Sequence, residues 1–443
     1  MPEPKVKFIV NNFRAVANAE IALDGISVLT GENGCGKSSI SKLVYYGILY
    51  SKNYESIVNK IIDELTKRVC FALSDLCAEL DIQYVNEYAR LPVFGKATVD
   101  YFLDKLNKNL NETLYTERTK GILYETILNE IIKIEIYTQN VINLKVKLYN
   151  LEEIKRKSIS DILEFLKEIS NNIDFNINKI LTTKPKSLLF LKLESIFKTS
   201  VPTENFEIIE FEGKLINNVQ NRIYSLNTIM KVSYIDTPMS LDKKGYKLLY
   251  EGTENEHWWH LNDTLRNDSN NCLSISNIDE NVEDILNGNI TYEYDRKGND
   301  FTYKRKDGKV INLLNCATGL KSFAMLQLLF QQNYLNNETL LIIDEPEAHL
   351  HPQWIVEYAR LIVLLHKRFG VKFLIASHHP QMISSIKYIA EKEGIDEKVN
   401  FYLGQRATEF TYNFKNYHTD IEPIFASFNI AFDKIDQYAA ATE

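Results

Sequence analysis

Gly31-Glu-Asn-Gly-Cys-Gly-Lys-Ser-Ser39 decides the fold. The stretch reads G-x-x-x-x-G-K-S. An apolar run, Ile26-Ser-Val-Leu-Thr30, precedes it, and a helical pattern from Ser38 to Tyr50 follows. Strand, glycine-rich loop and helix form the context in which this motif cradles phosphate. Gly31, Gly34 and Gly36 let the backbone curl, so that the N–H groups of Glu32, Asn33, Cys35 and Ser39 turn towards an anion. The helix offers its free first-turn N–H groups and positive dipole end to the same charge. Lys37 is a compact cation for the outer phosphates, and Ser38 supplies a hydroxyl for Mg²⁺.

Working outward, Val6–Val10 and Ala19–Leu23 read as strands, the second turning at Asp24-Gly25. Asn12-Phe13-Arg14 lies between them, which makes Phe13 a candidate beside a base and Arg14 a candidate beside phosphates. Some 300 residues later Leu340-Leu-Ile-Ile-Asp344 is an apolar strand ending in acid, and Glu345 follows. Asp344 suits a Mg²⁺ site. Glu345 suits a general base that polarises water. Asn315–Lys321 opens a helix running to about Gln332. Gln353–Phe369 is a helix closed by Gly370, and Lys372–Ala376 is a buried strand before Ser377-His378. Uniformly apolar strands alternating with helices predict an α/β fold with a mostly parallel central sheet.

Between these parts, residues 51–230 read as a mainly helical insertion. Ile162, Phe165, Leu166 and Ile169 have helical spacing, with Ser160 or Asp161 as cap. Ile132, Ile134 and Ile136, then Ile142, Leu144, Val146 and Leu148, alternate with polar residues, which predicts a β-hairpin across Thr138–Asn140. A strand over 231–238 stops at Pro238, and Asp236-Thr237 stands at its end. Residues 290–303 predict a second hairpin, hence an antiparallel β subdomain. His257 and His260 flank Trp258-Trp259 without further ligands nearby and read as a structural pair. The expected organisation is 1–50 and 231–404 as two parts of one head, 51–230 as the insertion and 405–443 as a C-terminal tail, read either as a docked helix or as a nuclease- or partner-binding segment.

The chain has 443 residues and a formal net charge of −8, which disfavours a dedicated DNA-wrapping protein. Lys155-Arg-Lys157 and Lys304-Arg-Lys306 are local basic runs. The five cysteines, Cys35, Cys70, Cys77, Cys272 and Cys316, form no C-x-x-C pair, so neither a disulfide framework nor a zinc site is expected. No apolar leader or 18-residue apolar run occurs, and the expectation is a cytoplasmic protein with no membrane partner.

Taken together, Gly31–Ser39, Ala317-Thr-Gly-Leu-Lys321, Asp344-Glu-Pro-Glu-Ala-His-Leu-His-Pro352 and Ser377-His378 resemble the ABC-type ATPase heads of the SMC, RecF and OLD kind. The resemblance implies that ATP and Mg²⁺ are the cofactors and that ATP is sandwiched between two heads. Thr318, Gly319 and Lys321 would form the signature loop that closes on the partner's nucleotide, with Ala317 where that family usually has serine. Ala348–His351 would face across the dimer, and His378 would be the switch histidine at the γ-phosphate. Size and layout resemble the PtuA ATPases of the Septu anti-phage system and their retron-associated relatives, and also AriA of PARIS. The resemblance therefore implies a slow ATPase without its own nuclease site, acting as sensor and regulator of a separate nuclease chain, HNH-type or else Toprim-type. Nucleic acid or a phage component is a further candidate partner. The alternative is a RecF-like repair or loading ATPase acting on DNA directly.

Overall fold

The computed structural model describes residues 5–61, 129–242, 253–266 and 287–428, less 151–152, 155–158, 202–205, 212, 215, 218–221, 225, 254 and 296–297. Cys70, Cys77, Cys272, the Lys155–Lys157 run and residues 429–443 lie outside them. The chain forms two compact units. One is Met1–Lys52 with Phe190–Ile216 and Tyr224–Glu443, and the other is Asn53–Leu189 with Asn217–Ile223. The second unit is narrower than the 51–230 insertion expected from sequence.

The strands of the two larger sheets, in chain order, are β1 (Val6–Phe13), β2 (Val16–Ala22), β3 (Ile26–Gly31), β4 (Phe206–Glu210), β5 (Gly213–Lys214) and β6 (Lys231–Ile235). There follow β7 (Gly288–Asp295), β8 (Gly298–Arg305), β9 (Val310–Asn312), β10 (Thr339–Asp344), β11 (Lys372–Ala376), β12 (Val399–Arg406) and β13 (Tyr412–Asn416). The helices are α1 (Lys37–Lys52), α2 (Asn129–Val141), α3 (Ile159–Thr183), α4 (Lys186–Phe197) and α5 (Glu256–Arg266). They continue with α6 (Thr318–Gln331), α7 (Pro352–Phe369) and α8 (Pro380–Glu393).

In the first unit ten strands make one sheet in the order β5-β4-β1-β2-β13-β12-β3-β11-β10-β6. From β12 to β6 every pairing is parallel. β1, β2, β4 and β5 pair antiparallel at the other side. β3, β10 and β11 are buried along their whole length, as strands covered on both faces must be. Leu341 and Ile343 of β10 join a core with Phe323, Leu329, Tyr358, Ile362 and Ile383 from α6, α7 and α8. Leu340 and Ile342 have the opposite parity and face the other side, where α1 packs. β7, β8 and β9 form the expected separate antiparallel sheet.

Two expectations are corrected. Residues 129–141 are helix, not the first strand of a hairpin, and 144–150 carry no strand. Ile131, Ile134, Glu135, Thr138 and Val141 are all buried, at the i, i+3, i+4 spacing of one helix face. The alternation of Ile132, Ile134 and Ile136 is a short coincidence within that pattern. Leu148 is 91 % exposed, so no second buried strand face exists there. The second correction concerns the tail. β13 is not peripheral but lies between β2 and β12, inside the sheet, and residues 422–428 add a helical segment after it.

Candidate nucleotide site

Parallel strands end together, and the site lies at their C-terminal edge, where side chains and loop N–H groups leave the sheet on one side. Gly31 pairs with Gly404 of β12, Asp344 with Ala376 of β11, and Ile343 with Ile235 of β6. The phosphate loop, Asp344, Ser377 and Asp236 therefore occupy one edge.

The loop is held as its sequence requires. Gly31, Gly34 and Gly36 have φ of 134°, 83° and 105°, conformations that an L side chain rarely adopts. A Cβ on Gly36 would also sit 2.6 Å from Val16 Cγ2. The buried Lys37 ammonium donates to Gly31 O at 2.9 Å and Glu32 O at 3.0 Å, so its charge is held within the loop's curl. Cys35 is fully buried. Burial pushes its thiol up, Lys37 only partly opposing, and it fills the floor of the loop as a neutral group. Glu32 is exposed and tied to the β12–β13 hairpin, its Oε2 accepting from Arg406 at 2.8 Å and from the Tyr412 hydroxyl at 3.4 Å. Asn33, Gly34 and Ser38 are exposed at the mouth, with Ser39 partly buried.

Asp344 is 7 % exposed. Tyr234 donates to its Oδ2 at 2.7 Å, while Oδ1 is buried without a well-formed hydrogen bond although Ser38 and Ser41 face the carboxylate. Burial raises its pKa, and the charge of Asp236 adds to this against the three hydroxyls. An orphaned buried carboxylate oxygen beside Ser38 fits a divalent cation, which would supply the missing partner. Asp236, at the end of β6, lies 2.9 Å from His257 Nε2 and accepts from Trp258 Nε1 at 2.7 Å. Burial works to raise its pKa, but these hydrogen bonds outweigh burial and hold it below the usual carboxylate range. Tyr46 of α1 lies 3.3 Å from His257 Nδ1, and His260 lies 3.3 Å from Glu256. Both histidines thus have carboxylate partners, and no group of three or more metal ligands occurs among the described residues.

Glu345 is half-exposed with φ of 49°, an unusual left-handed conformation for a glutamate, fixed by its N–H donating to Ala376 O at 2.8 Å. His378 Nδ1 stands 3.6 Å from Glu345 Oε1. The two sequence-nominated catalytic residues are thus side by side, at the ends of neighbouring strands. Glu347, which sequence reading passed over, is buried beneath them. The signal for it was an acid two residues past Glu345, across a proline, at the end of a buried strand.

The remaining candidates are placed differently. Phe13 is core, packed edge-on against Phe197 at 5.3 Å between ring centres. Arg14 donates to Phe197 O at 2.9 Å and lies over that ring. The contact holds Arg14 to α4, where sequence had suggested phosphates. In the signature stretch Ala317 is exposed and Thr318 partly so, and no side chain caps the first N–H groups of α6. Gly319 is buried. A Cβ there would lie 3.1 Å from both His349 O and Leu350 Cδ2. Lys321 is only 3 % exposed, so it is withdrawn from the surface that presents Thr318. His351 caps α7, its Nδ1 accepting from Gln353 N at 3.4 Å, a task at which aspartate also serves.

A P-loop, a buried acid closing the strand two places away, and an adjoining glutamate–histidine pair thus meet at one sheet edge. The chain belongs to the AAA ATPase domain family (AAA_15), whose model matches residues 6–383. It is 23 % identical over 385 residues to the "Retron Ec83 probable ATPase" of Escherichia coli, a match covering 81 % of this chain. The chain spans 65 % of the length of that relative. Among solved structures it is similar to the Smc head domain of Pyrococcus furiosus bound to the C-terminal domain of ScpA, at 12 % identity and a TM-score of 0.33 over 99 % of this chain and 100 % of that one. The SMC head domain from Thermotoga maritima matches at 9 % identity and a TM-score of 0.33, over 93 % of this chain and 97 % of that one. No helix among the described residues is long and apolar enough to cross a membrane.

Proposed function

We propose that this protein is the ATP-hydrolysing sensor and regulator of an anti-phage defence complex, in which ATP-driven pairing of two heads controls a separate nuclease chain. The observation that carries the reading is the division of the site. Lys37, Ser38, Asp344, Glu345 and His378 gather at one sheet edge, while Ala317 and Thr318 present an uncapped helix start at the surface. Such a helix start, without a side-chain cap, suits the γ-phosphate held by a second copy. The similarity to the retron ATPase supports the defence setting, and the Septu-type arrangement with an HNH nuclease is the form we favour.

In this reading the loop N–H groups and Lys37 bind the β- and γ-phosphates, and Ser38 and Asp344 hold Mg²⁺. When bound, the cation neutralises charge on the transferring phosphoryl group. Glu345 takes the proton of the attacking water, and His378 donates towards the γ-phosphate. Glu345→Gln removes the base but keeps the shape, so closed dimers should accumulate with ATP. Mass measurement in solution tests this: a Glu345→Gln protein that stays monomeric with saturating ATP sinks the shared-site proposal. Metal-dependent cleavage of DNA or RNA by the chain alone would overturn the separate-effector reading. An adjacent reading frame encoding an HNH nuclease supports the Septu-type form. A Toprim frame there favours the PARIS type, a reverse transcriptase a retron, and repair genes the RecF-like alternative.

A further inference from the structure

Glu347 is a buried acid of the head, with 5 % of its side chain exposed, yet the ATPase scheme above gives it no task. Its Oε1 accepts from the Ser377 hydroxyl at 2.8 Å and from the His378 N–H at 3.3 Å. Ser377 Oγ in turn accepts from His379 N at 3.1 Å. One carboxylate thus organises the whole turn from β11 into α8. Two polar atoms beside it are buried without hydrogen bonds: Glu347 Oε2 and His378 Nδ1. They belong to neighbouring groups, since Nδ1 lies 3.8 Å from Glu347 Oε1 and 3.6 Å from Glu345 Oε1. His378 Nδ1 thus lies just beyond hydrogen-bond distance of the Glu347 carboxylate, and an unpartnered ring nitrogen and an unpartnered carboxylate oxygen on these two neighbouring groups are complementary donor and acceptor.

We infer that Glu347 is the positioning carboxylate of His378: it accepts the Nδ1–H, fixes the ring tautomer and aims Nε2 at the nucleotide. A carboxylate on one ring nitrogen sets which proton the other carries. The same bond resolves a conflict in the site. Glu345 stands within reach of the same nitrogen, and a base that is paired to His378 is a poorer base for water. With His378 held by Glu347, the exposed Glu345 is free to act on water. Burial distinguishes the two acids: the enclosed one orients, and the half-exposed one reacts.

The inference rests on the ATPase reading, so the test begins with the wild type and Glu345→Gln. Absence of turnover in the wild type would fault that reading and not this one. Given turnover, Glu347→Gln, Glu347→Ala and His378→Ala are compared with the two corresponding double variants. Glu347→Ala should lower kcat about 10- to 100-fold with the ATP KM within about threefold, because it removes orientation and not binding. Glu347→Gln keeps an acceptor for Ser377 and the His378 N–H, so it should fold as the wild type does and lose less activity. In the His378→Ala background neither Glu347 change should lower kcat further, since residues acting as one unit are non-additive. Losses that multiply in the double variants, or a Glu347→Gln and Glu347→Ala pair with wild-type kcat, would overturn the proposal. If Glu347→Ala fails to fold, the Glu347→Gln cycle alone decides.

Discussion

Lys37 and Gly319 show what a single position can and cannot test. Lys37 is enclosed, its ammonium on two carbonyls of its own loop, so it is placed for an anion before any anion arrives. Lys37→Ala removes that charge while leaving the glycine-set loop path intact. We expect ATP binding to weaken by about 100-fold or more, read by calorimetry, with little change in melting temperature. Gly319 is different. In the resemblance it is a surface contact whose replacement by glutamate would spare ATP binding and block closure. In the fold its Cα faces His349 O and Leu350, and a Cβ would meet both at 3.1 Å. Gly319→Ala gains helix propensity while His349 O or Leu350 gives by a few tenths of an ångström, so the two effects oppose and stability in denaturant unfolding should change by no more than about 1 kcal/mol. Gly319→Glu should cost more, which makes Thr318 the cleaner place to probe pairing. Both roles were nominated from motif positions. Only the close approach of the 349–350 turn separates the buried glycine from the partly exposed threonine.

At the level of elements, the strands and helices of the head follow from sequence because burial on both faces leaves an unbroken apolar run, as in β3, β10 and β11. The α7 boundary is equally local. Pro352 opens it, His351 caps it, and Gly370 closes it at φ of 70°. Residues 129–148 were misread because alternation over five residues fits a strand and a helix face alike. The packing against α3 settles the matter, and substitution can check it. Ile134 and Leu166 are buried, so Ile134→Ala and Leu166→Ala should each cost about 2–4 kcal/mol. Leu148→Ala, at a position 91 % exposed, should be close to neutral in the same unfolding assay. A hairpin with Leu148 on its buried face would give the reverse.

For the whole molecule, the order of strands matters more than their identities. β13 follows 405 in sequence but is hydrogen-bonded between β2 and β12, and Gly31 of the phosphate loop pairs with Gly404 of β12. The C-terminal segment therefore supports the loop from behind, and Arg406 reaches Glu32 directly. A chain truncated after residue 404 should lose cooperative unfolding and nucleotide binding together, measured by thermal melts with and without ATP. A chain ending after residue 428 should keep both. Had 405–443 been only an appended tail, both truncations would behave alike.

The sequence by itself determined the class of protein. Gly31–Ser39, Asp344-Glu345 and Ser377-His378 are short-range patterns whose chemistry depends on residue type and spacing, and each lies next to a strand that its own apolar run announces. The tertiary structure alone decided where the nominated residues lie relative to one another. It buried Lys321, gave Arg14 to Phe197, put β13 in the middle of the sheet, and brought Glu347 under His378 across 31 positions of chain. The physical reason is that strand pairing and side-chain burial are set by partners distant in sequence. A local pattern fixes what a residue can do, and the packed sheet fixes what it faces.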